Sequence, residues 1–121
     1  TAQYRQATEQ LQSVEYQRSQ TDNRLTSELE QGLEQYRETE RSLTLLDNEL
    51  IPRAEQALEI LSEEYTAGNV SFDEVLRVQE QLLDLELEQI EVMIEQHKAI
   101  INIESLVGDV PPYEGLTGNN E

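Results

Sequence analysis

Tyr65-Thr66-Ala67-Gly68-Asn69-Val70-Ser71 is the stretch on which the fold turns. Gly68 is free to take the positive φ that ends a helix. Ser71, followed three residues later by Glu74, has the spacing of a capping box that opens the next helix. A turn at 66–71 with a helix on either side is therefore expected.

Upstream of the turn, apolar residues recur at alternating spacings of three and four. Leu43, Leu46, Leu50, Ala54, Ala57, Leu61 and Tyr65 carry the pattern into the turn; Leu25, Leu29, Leu33 and Tyr36 precede them, and Tyr4, Ala7, Leu11 and Val14 begin it. This is the seam of a coiled-coil helix. No Gly-Pro, Asn-Gly or Pro-Gly pair interrupts residues 2 to 64, so one helix of about 95 Å is predicted at 1.5 Å per residue. Two places weaken it. Arg18 and Thr21 fall on the seam, and Thr21-Asp22-Asn23 offers caps for a new helix, so a break within 18–24 is an alternative. Pro52 lacks an amide hydrogen and clashes with the carbonyl of Asn48, which predicts a kink with the helix continuing beyond it.

Downstream, a second helix is predicted from about Phe72 to Val107, ending at Gly108. Residues 109–121, with Pro111-Pro112 and a Gly/Asn-rich close, read as an irregular tail. The fold class is all-α: an antiparallel helical hairpin of coiled-coil type over residues 1–108, with helices at about 2–64 and 72–107.

The second helix is more apolar than a simple hairpin requires. Phe72, Leu76, Leu83, Leu87, Ile90, Ile94 and Ile101 form one stripe; Val75, Val78, Leu82, Leu85, Val92, Ala99, Ile103 and Leu106 form another. One partner helix cannot cover both. The lengths disagree as well, because the return helix reaches back only to about Leu29 and leaves residues 2–28 without an intrachain partner. Other copies, or further parts of a longer chain, are expected to complete the packing. The chain by itself is expected to self-associate through the stripe left over.

Composition narrows the function. Acidic residues outnumber basic ones by 26 to 8, a formal net charge of −18 that repels nucleic-acid phosphates and anionic lipid head groups. Cysteine is absent, and no run approaches the roughly twenty apolar residues of a transmembrane helix. Glu63/Glu64 and Asp73/Glu74 are carboxylate pairs of the kind an acidic chain produces by chance at helix ends. Met93 and His97 lie four apart on one face, two ligands without a third. No nucleophile-base pair or phosphate loop is present, and no catalytic role, cofactor or metal is expected.

Residues 50 to 108 resemble the C-terminal part of outer-membrane efflux proteins of the TolC family. The resemblance is carried by Tyr65, Ala67, Gly68 and Ser71, by the Val75-Leu76-x-x-Gln79 run, and by Leu106 and Gly108 at the close. It implies a trimeric channel with a β-barrel in the outer membrane and a helical tunnel through the periplasm, of which this segment is the second hairpin. The turn, residues Ala67, Gly68, Asn69, Val70 and Ser71, would then lie at the gated periplasmic mouth, where an adaptor protein docks and links the channel to an inner-membrane transporter. Tyr65 matches a mouth tyrosine, and Glu74 falls where an acidic constriction residue is expected. Val70 replaces a basic turn residue and Arg77 stands in place of a second acid, so a mixed Glu74/Arg77 ring is implied. A coiled-coil hairpin of a periplasmic membrane-fusion adaptor and a free-standing acidic coiled-coil scaffold are the alternative readings.

Overall fold

The computed structural model describes residues 1–109; the expected tail from residue 110 on lies outside them. The described residues are helical apart from Thr1, the turn and Asp109, and contain no strand. Helix α1 spans Ala2–Leu45, a π-helical turn spans Leu46–Leu50, α2 spans Ile51–Thr66 and α3 spans Phe72–Gly108. The all-α antiparallel hairpin is the observed architecture, and α3 runs one residue past its expected end at Val107. Contacts group the chain into two compact units, Gln35–Ile100 and Thr1–Glu34 with the described residues from Ile101 on.

In the unit Gln35–Ile100 the chain reverses once. Its core is thin: Thr39, Leu46, Ile51, Val75 and Ala99 are buried. Thr39 sits in the seam slot between Tyr36 and Leu43, and its hydroxyl donates to the Tyr36 carbonyl at 2.6 Å. That bond lets a polar side chain be 98% enclosed without an orphaned donor.

The disturbance expected at Pro52 takes the form of the π turn immediately before it. The amide of Ile51 donates to the carbonyl of Leu46, five residues back. Widening the turn accommodates a residue that has no amide to give and whose ring would otherwise strike the preceding turn. It also changes which side chains face inward. Leu46 and Ile51, five apart, are both buried, whereas Leu50, which the 3-4 spacing assigns to the seam, is half-buried. Gln89 Nε2 of α3 donates to Asp47 Oδ1 in the same turn, tying the return helix to it.

In the other unit, residues 1–24 are exposed along their length, Tyr4, Leu11, Val14 and Tyr16 included. Half-burial begins at Leu25, close to the position the helix lengths predict. The alternative of a break within 18–24 is not realised: α1 is continuous, and the Thr21 hydroxyl donates back to the Gln17 carbonyl at 2.9 Å and does not cap a new helix. Gly32 is buried where a Cβ would stand 3.2 Å from Ile103 Cγ1 and 3.3 Å from Asn102 Nδ2. The missing side chain is what permits that approach of backbone to α3.

Candidate functional site

The tip is built from backbone hydrogen bonds. The amide of Asn69 donates to the carbonyl of Glu64 at 2.9 Å and that of Gly68 to the carbonyl of Tyr65 at 3.0 Å, while Ala67 keeps its helical bond to Glu63. The pair of reversed bonds is a Schellman motif, closed by Gly68 at φ 80°. Asn69 adds a side-chain bond, Nδ2 to Glu64 Oε2 at 2.8 Å. The next helix opens with the Glu74 amide donating to the Ser71 carbonyl at 3.2 Å. Asp73 and Glu74 lie in its first turn, where the helix dipole favours negative charge.

Gly68 has nothing within 4 Å of where a Cβ would be, so its requirement is conformational. Gly68→Ala is expected to cost about 1–2 kcal/mol, the penalty of an L-residue in the left-handed region. Urea unfolding of this variant beside Ala67→Gly is the check, and no loss at Gly68 would contradict the geometry of the turn.

Of the residues singled out in the sequence, Ala67, Gly68, Asn69, Ser71, Tyr65, Glu74 and Arg77 are exposed and Val70 is half-buried. Tyr65 lies against Phe72, with ring centroids 5.5 Å apart and planes tilted by 52°. The two rings pin the last turn of α2 to the first of α3. Phe72 and Glu64 thus belong to the tip, although the sequence reading assigned one to the apolar stripe and gave the other no role beyond its carboxylate pair. Two aromatics flanking a six-residue turn were the legible signal for Phe72. Glu74 and Arg77 stand on the exposed first turns of α3 and offer one charge of each sign near the tip.

The second feature is the exposed face of α3. Val75, Val78, Leu82, Leu85, Val92, Ala99, Ile103 and Leu106 are all buried or half-buried, whereas Phe72, Leu76, Leu83, Leu87, Ile90, Ile94 and Ile101 are all exposed. The two stripes read from the sequence are thus separated residue for residue. Met93 and His97 lie on exposed positions, and no group of three or more His, Cys, Asp or Glu is placed to hold a metal among the described residues. No helix among those residues is long and apolar enough to cross a membrane. Compared with known proteins, the chain matches no family model, no curated protein and no solved structure.

Proposed function

We propose that this chain is a periplasmic hairpin of a TolC-type outer-membrane efflux channel, with its tip at the gated mouth. The channel is a homotrimer; the tip meets a periplasmic adaptor, which joins it to an inner-membrane transporter. The observation that carries this reading is the tip itself. Tyr65, Ala67, Gly68 and Ser71, on which the resemblance rests, are gathered around one tight, exposed turn closed by a Schellman motif. The exposed apolar stripe on α3 is in keeping with it, since a tunnel wall needs each hairpin to pack on its neighbours as well as on itself.

In this reading Glu74 and Arg77 ring the mouth, and Tyr65 couples the end of α2 to α3 through Phe72, so that movement of one helix is felt by the other. The exported substrate crosses without covalent change, and no cofactor takes part. Opening is a change in helix packing.

The chain has no cysteine, so Ala67→Cys gives one thiol on the exposed tip. In cells making the protein that contains this segment, a membrane-impermeant maleimide is expected to label that peptide once the outer membrane alone is permeabilised. Labelling only after the inner membrane is broken would contradict a periplasmic tip. Chemical cross-linking of the same cells is expected to give a trimer.

A further inference from the structure

The exposed stripe of α3 has the layout of a second coiled-coil seam within the unit Gln35–Ile100. Leu83, Leu87, Ile90, Ile94 and His97 follow one another at spacings of four, three, four and three, all on exposed positions. Glu80 bounds the run on the N-terminal side.

Two ways of pairing this seam with its own copy differ in the charges brought together along its flanks. In a parallel pair, side chains flanking the seam meet those five residues on, which brings Glu86 against Glu91 of the copy twice over; Glu80 meets Glu80 and His97 meets His97 in the seam itself. An antiparallel pair centred on Val92 sets Ile90 against Ile94 of the copy and Leu87 against His97. Along one flank it brings Asp84 beside Lys98 of the copy, twice by symmetry, and along the other it brings Met93 beside Met93. Lys98 is one of only two basic residues in α3, in a helix rich in acids. Antiparallel pairing gives that cation an acid to meet, and leaves as like-charge contacts Glu91 facing Glu91 near the axis and, at the ends of the seam, Glu80 facing Glu104 of the copy.

We propose that the exposed stripe of α3 is a docking surface for a second copy of this chain, paired antiparallel about a two-fold axis near Val92. The occupant is another α3 because the stripe meets its own apolar residues across a two-fold axis, as a closed interface requires, and because the copy supplies Asp84 to Lys98 along one flank. The pairing rests on the exposed seam alone and is independent of the channel reading; a threefold tunnel would cover the same stripe with other helices, so the two-fold pair is a property of the chain on its own.

The full 121-residue chain tests it, with cysteines introduced singly. An equimolar mixture of Ile90→Cys and size-tagged Ile94→Cys chains, oxidised with glutathione, is expected to yield mostly the mixed disulfide dimer. Leu83→Cys is expected to give none, because in the antiparallel pair the two copies of that position lie about 27 Å apart along the axis. Asp84→Lys and Lys98→Asp are each expected to weaken dimerisation about fivefold in sedimentation equilibrium, and the double variant to recover the parent affinity. Cross-linking of Leu83→Cys to itself would show a parallel pair and overturn the proposal. So would a chain that stays monomeric at high concentration with no cross-link at any position, whether or not it adsorbs to lipid vesicles or to another helix.

Discussion

Leu46→Ala is expected to lower the stability of the hairpin by about 2–5 kcal/mol, toward the smaller figure. Leu46 is 2% exposed and is, with Thr39, the most enclosed side chain among the described residues. It begins the π turn, and its carbonyl accepts the Ile51 amide. A core of this thinness has few layers to relax from behind, yet it has open sides, and partial collapse onto the space left behind keeps the cost from the top of the range. The comparison is Leu87→Ala, at a position 58% exposed, which is expected to stay within about 0.5 kcal/mol of the parent when measured as a monomer. Urea unfolding followed by far-ultraviolet circular dichroism checks both, and equal losses would mean that Leu46 is no better enclosed than Leu87.

The second large effect comes from placing the same charge on the two faces of α3. Val75→Glu places a carboxylate at a position only 8% exposed, and is expected to cost about 3 kcal/mol or more, enough to reduce the helical signal of a structure with so small a core. Leu87→Glu adds its charge to an exposed position between Leu83 and Ile90. There the helical signal is expected to be kept, while self-association falls below detection in sedimentation. One substitution unfolds and the other solubilises. Were both to unfold the chain, the exposed stripe would have to be part of the fold's own core; were neither to affect association, the stripe would not be the surface that associates.

Much of this was legible in the residues. The turn announced itself through Gly68, whose positive φ the sequence demands once a helix must stop at a residue with no side chain, and through Ser71 before an amphipathic run. The two stripes of α3 were legible because 3.6-residue geometry separates them by roughly half a helix circumference, so that a single antiparallel partner covers one and leaves the other exposed. The π turn was not. Pro52 signals that something must yield, but whether the chain kinks, ends or widens depends on how the neighbouring side chains repack, and here Ile51 enters the core in a way that the 3-4 seam does not anticipate. Thr39 escaped an apolar reading for a related reason: only its bond to the Tyr36 carbonyl makes burial cheap, and that bond is invisible in a residue's hydrophobicity. The polar latch between Asn69 and Glu64 and the Tyr65–Phe72 contact arise only once the turn type is fixed. The role proposed for the tip rests on resemblance alone, because a hairpin end built from backbone hydrogen bonds has no chemistry of its own to declare a substrate.

The reversal of the chain at Gly68 is tested most directly by a distance. Glu55 and Glu86 are exposed and line one groove of the unit Gln35–Ile100, one on α2 and the other on α3. Spin labels on cysteines at these two positions, in chains diluted with unlabelled protein so that only intrachain pairs are read, are expected to give a narrow distance distribution below about 20 Å. An unbroken helix through Asn69 would set them about 46 Å apart at 1.5 Å per residue, and a distribution centred there would contradict the hairpin.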